Sequence, residues 1–354
     1  MTVDLTGGLP ISREDVLVDR PADPAFREAV NIWLEDDLGR FSFPRIGVEP
    51  IGATWDEPAV QANMAFADGR VLLGTGRGQT RTRLDEDGRP TIIGSGPIEF
   101  RCVEPFRRWT MSFVGDALAT TVADQAAGIA ASDRRVEVEL QVEMTMVVPP
   151  WIQGEMGEEA RRLLENGKEG SFMGGERYEQ LFTASGHFRA GDDQYPFDGR
   201  GLRIHRQGVR DTTEFRGHCW QSAVFPNGKA FGYIAFPDDD DGTSSYREGY
   251  VFDGARMHPA EVVEAPWMTS FEPHGGSVPL VLKSELGEHR IEAVTTCTTA
   301  VPGSEQTAKI EAMSGGQPIG RDLFFHQGSA RYTWDGEVAH GMIERSLPAD
   351  LVRR

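Results

Sequence analysis

Val136-Glu-Val-Glu-Leu-Gln-Val-Glu-Met-Thr-Met146 alternates apolar and polar side chains without a fault. Successive side chains of a strand point to opposite faces, so the run predicts a strand with one dry and one wet face. Pro149-Pro150 then ends it, because proline cannot donate to a ladder. On both sides of this run the same grammar recurs. Asp68-Gly69, Asp87-Gly88, Asn227-Gly228, Asp253-Gly254 and Asp335-Gly336 each sit beside β-rich segments. These pairs tolerate the positive φ angles of two-residue hairpin turns. Many short strands with frequent turns predict sandwiches or barrels rather than a βαβ fold.

Two segments depart from the pattern. Residues 24–37 place Phe26, Val30, Trp33 and Leu34 at helical spacing and predict a short N-terminal helix. Glu158–Glu165 predicts a helical linker, followed by a loose stretch from Gly167 to Gly175. A boundary is expected there, giving an N-terminal β domain over 1–176 and a C-terminal one over 177–354. Each half is long enough for one antiparallel barrel.

The composition narrows the function classes. A chain of 354 residues with 39% apolar content can bury one or two cores. A net charge of −19 argues against nucleic acid as a partner and against attraction to anionic membranes. No run of apolar residues is long enough to span a bilayer. The N-terminus has no basic stretch followed by an apolar one, so a cytoplasmic location is expected. Cys102, Cys219 and Cys297 are widely spaced and odd in number, which supports neither a zinc ribbon nor a disulfide framework. The acidic run Asp238–Gly242 lacks the ligand spacing of a calcium loop and reads as a solvated turn. No metal and no cofactor are expected, and a homodimer is compatible with the sequence.

Charge concentrates in Gly199-Arg-Gly-Leu-Arg-Ile-His-Arg-Gln-Gly-Val-Arg-Asp211. Strand alternation puts Arg203 and His205 on one face, Gly208 can bend the chain, and Arg210 and Asp211 follow. A histidine between arginines can relay a proton, and the arginines can hold a carboxylate, an enolate or another oxyanion. They can equally form an internal ion-pair network that pins a barrel corner. A second constellation, Phe215-Arg-Gly-His-Cys-Trp-Gln-Ser222, aligns His218 and Trp220 on one strand face, which suits an apolar pocket with a few polar groups. The other reading is a buried tryptophan beside a hydrogen-bonded histidine. Cys219 reads as a core residue. Glu344, on the closing strand with His340 and Met342, is an acid/base candidate or the structural partner of Arg203 or Arg210. Glu179 is a weaker binding candidate that also reads as a sheet-edge charge.

These residues resemble the AttH-like superfamily, which includes carotenoid 1,2-hydratases and, more distantly, fungal prenyl hydratases and Diels–Alderases. Its signature runs Gly-x-Gly-x-Arg-Asp-His-x-Trp-Gly-x-Arg-Asp. Gly199, Gly201, Arg203, His205, Gly208, Arg210 and Asp211 match it in order, whereas Ile204 and Gln207 replace its aspartate and tryptophan. The resemblance extends over most of residues 50–350. It implies two lipocalin-like β-barrels in tandem, with a short N-terminal helix and a helical linker. It also implies that His205 and Tyr233 correspond to acid/base residues of the hydratases, whose aspartate is replaced here by Ala235.

The expected function is that of a cofactor-independent lyase or isomerase acting on a hydrophobic small molecule such as an isoprenoid, steroid or polyketide. His205, His218, Tyr233 and Glu344 are the catalytic candidates. Arg203, Arg210, Asp211, Trp220 and Glu179 are the substrate-binding candidates. The alternative is a non-catalytic carrier or sensor, because lipocalin-like barrels hold one small apolar molecule. The two diverge on whether His205 or His218 faces a cavity.

Overall fold

The alternation at Val136–Met146 becomes one wall of a closed sheet. The computed structural model describes residues 3–352 except 168, 214, 240, 241, 243 and 302–321. Ten strands form the first sheet: β1 (Arg27–Asp36), β2 (Phe41–Glu49), β3 (Ala59–Phe66), β4 (Arg70–Arg77), β5 (Ile92–Ser95), β6 (Ile98–Glu104), β7 (Arg108–Thr121), β8 (Arg135–Met146), β9 (Glu176–Ala190) and β10 (Asp193–Gly208). Their order is β4-β3-β2-β1-β10-β9-β8-β7, and pairing of β4 with β7 closes an eight-stranded ring. The opposite end of β7 carries β6, which in turn carries β5.

Eight further strands close a second antiparallel barrel in chain order: β11 (His218–Val224), β12 (Ala230–Ala235), β13 (Arg247–Phe252), β14 (Met257–Glu264), β15 (Leu280–Ser284), β16 (Gly287–Val301), β17 (Leu323–Trp334) and β18 (Glu337–Pro348). Four of the five turn pairs link neighbouring strands as expected. Asp335 and Gly336, with φ of 52° and 83°, supply the two positive angles of the last hairpin. Asp87-Gly88 turns a smaller loop between Leu84 and Pro90, which form an isolated bridge. Helices are few: α1 (Val122–Ala126), α2 (Glu158–Asn166) and α3 (Glu169–Met173). No helix among the described residues is long and apolar enough to cross a membrane.

Both barrel interiors are filled by side chains. Phe41, Phe43, Phe66, Phe188, Tyr195 and Phe197 interlock in the first, with Phe41 and Phe188 centroids 5.2 Å apart. Burying each such ring contributes about 1.5–3 kcal/mol. Phe231, Tyr233, Tyr332 and Ile343 fill the second. The barrels meet through their outer faces: Trp33, Leu181, Leu202 and Ile204 of the first pack with Trp220, Ile234, Phe325 and Met342 of the second. The linker adds Trp151, Phe172 and Met173 to this layer.

Two expectations are corrected. The segment predicted as an N-terminal helix is β1, every residue of which is buried. Val30, Ile32 and Leu34 enter the first barrel while Trp33 faces the second, so both sides are covered and the period-2 signature is masked. The first ring also does not close before residue 177. β9 and β10 complete it, and the chain passes to the second ring between Gly208 and His218. The linker helix α2 is an insertion between strands of one barrel.

Candidate active site between the barrels

Strand register decides which candidates can meet. Ile32 stands opposite Arg203, and Val30 opposite His205, so both members of the charged motif point into the first barrel with their partners. There Arg203 donates to Glu14 at 2.5 Å and lies over the Trp109 ring at 4.5 Å. Glu14 comes from a 3₁₀ turn over Ile11–Glu14 and also accepts from Tyr178 and Trp109. Burial opposes its charge, but Arg203 and then His205 outweigh that and hold its carboxyl below the ordinary range. The Nδ1 of His205 is 3.2 Å from the Tyr178 hydroxyl, and its Nε2 is 3.6 Å from Glu28. Arg203 and His205 therefore belong to a network that closes the first barrel.

The outward faces of β1, β2, β9 and β10 tell a different story. Together with β11, β12, β17, β18 and the linker they enclose a cavity of about 70 Å³, room for several waters or a small ligand group. Trp33 and Trp220 meet edge to face on its wall, with centroids 4.8 Å apart. Ile204, Phe215, Ile234 and Phe325 complete its apolar wall.

His218 and Glu344 lie on this wall, both buried. The His218 Nε2 is 3.1 Å from Glu344 Oε1, and its Nδ1 is 2.7 Å from the Ser346 hydroxyl. Ser346 also accepts the His218 main-chain N–H at 3.0 Å. Gln327 donates to the second carboxylate oxygen of Glu344 at 2.7 Å. Burial works to raise the Glu344 carboxyl, yet the bond from His218 and its charge hold it below the usual range. An ionised Glu344 receives the Nε2–H and fixes the ring, the orienting arrangement a general acid/base requires.

The remaining polar wall is arginine-rich. Arg27, Arg45, Arg177, Arg206 and Arg210 face Glu49 and Glu344, five guanidiniums to two carboxylates. A bulge in β2 sets Arg45 at a φ of 63°, and its guanidinium reaches Glu49 at 2.6 Å. Residues held in sparsely populated backbone regions cluster at functional sites. Arg27 contacts the other Glu49 oxygen at 3.5 Å, and Asn31 donates to Glu49 at 3.2 Å. Gly47 makes room for that asparagine, because a Cβ there would collide with its side-chain oxygen. Burial opposes the Glu49 charge, but Arg45 and Arg27 bring its carboxyl down to about 2. Arg206 and Arg210 both donate to the main-chain oxygen of Phe172, at 3.3 and 2.9 Å. The Arg210 guanidinium also lies 3.8 Å from the centre of the Phe172 ring.

Of the residues singled out from sequence, His218, Trp220, Glu344 and Arg210 come together here, and the others do not. Tyr233 points into the second barrel, 3.1 Å from Cys219 Sγ. Glu344 bonds His218 and neither Arg203 nor Arg210. Glu179 is buried rather than at an edge, held by Arg177 at 2.5 Å, Gln153 and the Trp220 indole N–H. Asp211 is exposed and turns the chain by accepting from Thr213. Asp240 and Asp241 of the acidic run lie outside the described residues. Arg27, Asn31, Trp33, Arg177 and Arg206 were missed. A period-2 reading of 27–35 separates Arg27, Ala29, Asn31 and Trp33 from the apolar face and would have found three of them.

The same architecture occurs in solved structures. One provisionally identified as AttH from Nitrosomonas europaea aligns over 90% of this chain and 91% of its own, with a TM-score of 0.50 and 14% identity. CghA with Sch210972 aligns over 92% and 89%, with a TM-score of 0.56 and 8% identity. Kievitone hydratase from Nectria haematococca aligns over 99% and 97%, with a TM-score of 0.48 and 11% identity. At such identities the likeness to the first two shows the AttH-like tandem-barrel fold. No curated protein sequence matches the chain significantly. The sequence profile of a family described as a domain of unknown function, DUF7064, matches residues 19–349.

Proposed function

The chain belongs to the DUF7064 family, and we propose that it is a cofactor-independent lyase or isomerase that moves a proton at a carbon atom of a small molecule held between its barrels. The observation that carries this reading is the His218–Glu344 pair, buried on the cavity wall within reach of Trp220. Glu344 orients the imidazole and balances its protonated form. The pair thus gives a proton to an unsaturated carbon or takes one beside a carbonyl. Help of this kind contributes about 10²–10⁴-fold. The structure of CghA with Sch210972, on the same fold, supports a small-molecule role.

The charge of the wall selects between two routes. Hydration through a carbocation would build positive charge among arginines. One unit charge about 6 Å from an unpaired guanidinium costs about 3 kcal/mol at an effective dielectric constant near 20. The same field stabilises an enolate or other oxyanion by a similar amount. The chemistry favoured is therefore addition to, elimination from, or isomerisation of a double bond next to a carbonyl. Apolar contact comes from Trp33, Trp220, Ile234 and Phe325.

A carrier is the second reading, favoured by one observation: both ring nitrogens of His218 are already engaged. Incubation in D₂O with a panel of α,β- and β,γ-unsaturated carbonyl compounds separates the two. Catalysed deuterium entry at carbon, lost in His218→Asn, supports the enzyme. Retention of a compound with no exchange supports the carrier.

A further inference from the structure

The arginine surplus is not neutralised from within. Glu49 is committed to Arg45, Arg27 and Asn31, and Glu344 to His218 and Gln327. Arg177 is engaged from behind the wall by Glu179, yet its buried Nε and Nη1 have no partner, nor does the Nε of Arg27. Among the described residues, no carboxylate lies within 4 Å of Arg206 or Arg210. Their shared acceptor is one main-chain oxygen, that of Phe172. Burial, followed by the like charges of Arg210, Arg177 and Arg27, pushes Arg206 well below the ordinary guanidinium range. Arg206 is buried and Arg210 half-buried. Buried cations without counter-ions are costly, and a fold that needed only packing at Arg206 would be better served by an apolar side chain. Guanidiniums are matched in geometry to carboxylate and phosphate oxygens, which they bind through paired N–H donors.

We infer that the cavity recognises a small amphiphilic acid, its carboxylate or phosphate group seated by Arg206 and Arg210 and its carbon frame laid against Trp33, Trp220 and Ile234. The inference rests on reading the cavity as the substrate site and names the class of substrate that site takes. Arg27 and Arg177 line the same cavity and add their positive charge beside the anion. His218 and Glu344 line the same cavity, so a carbon frame bound there lies beside them.

Titration of the full chain with hexanoate, hexyl phosphate and hexan-1-ol, followed by tryptophan fluorescence and calorimetry, tests this. At least one anion should bind saturably, and the alcohol about tenfold or more weakly, as expected for lost charge-assisted hydrogen bonds. The two anions distinguish a carboxylate site from a phosphate site. Arg206→Met and Arg210→Met should abolish the difference between anion and alcohol. Arg206→Met should also raise the thermal midpoint of the ligand-free protein, whereas a purely structural arginine would lower it. Equal binding of alcohol and anions by the wild type, or no anion binding at all, overturns the inference without reference to any variant. His218→Asn should keep anion binding. Anion binding without deuterium exchange in the wild type strikes the acid–base reading alone.

Discussion

Trp220 and Glu344 stand directly opposite each other on β11 and β18, which places an aromatic ring and a carboxylate side by side on the outward face of the second barrel. His218 precedes Trp220 by two residues and shares that face, so three functional groups reach the cavity from one pair of strands. His218→Asn and Glu344→Gln should each lower proton exchange at carbon by about 10²–10⁴-fold while leaving the circular dichroism spectrum unchanged. Exchange at the wild-type rate in both variants would remove the pair from the mechanism.

His205 and Arg203 make the opposite prediction. His205→Gln should leave turnover within about twofold, because the ring lies inside the first barrel among Tyr178, Trp109 and Glu28. Arg203→Ala strands the buried Glu14 carboxylate and should cost about 3–5 kcal/mol of stability. Urea unfolding monitored beside turnover at saturating substrate separates the two effects.

Glu49 sets an acid limit. Its carboxyl titrates at about 2 in the folded protein, below the ordinary 4.5, because Arg45 and Arg27 hold its charge. The folded state therefore binds its proton less readily than the unfolded chain. Its contribution is complete above about pH 4.5 and is lost as the pH falls toward 2, a total of about 3 kcal/mol. The difference in stability between wild type and Glu49→Gln should shrink by this amount over that interval in pH-dependent denaturation.

Glu35 carries the reverse sign. Burial, and then Asp37, raise its carboxyl well above the usual range, and neither oxygen has a partner among the described residues. The folded state holds its proton more tightly than the unfolded chain, so stability from this group is present below about pH 4.5 and falls as the pH rises. Glu35→Gln, which copies the neutral acid, should be close to wild type at pH 4 and more stable at pH 8. Equal urea midpoints at pH 8 would contradict this account.

The barrels were legible because β8 and the Asp-Gly and Asn-Gly turns obey local rules. β1 was not, because Ala29 and Trp33 on its outward face and Glu28 on its inward one blur the alternation, and Val30, Trp33 and Leu34 also satisfy a helical period. The site was half legible. His218, Trp220 and Glu344 could be placed on strand faces, but whether a face looks into a barrel or out of it depends on ring closure. Arg203 and His205 show the cost of that gap: the alternation that pairs them correctly cannot say that they point away from Arg206 and Arg210.

Each half of the cavity wall is the exterior of a closed barrel, while the interiors are packed separately with their own aromatic side chains. The lining of the cavity and the closure of the barrels are thus written in different sets of residues along the same strands, one parity for each. On β10, Ile204 and Arg206 can be exchanged to reshape the cavity while Gly201, Arg203 and His205 go on closing the barrel. The lining of the cavity can diverge within such a scaffold by substitutions at alternate positions, with no insertion of loops and no repacking of either interior.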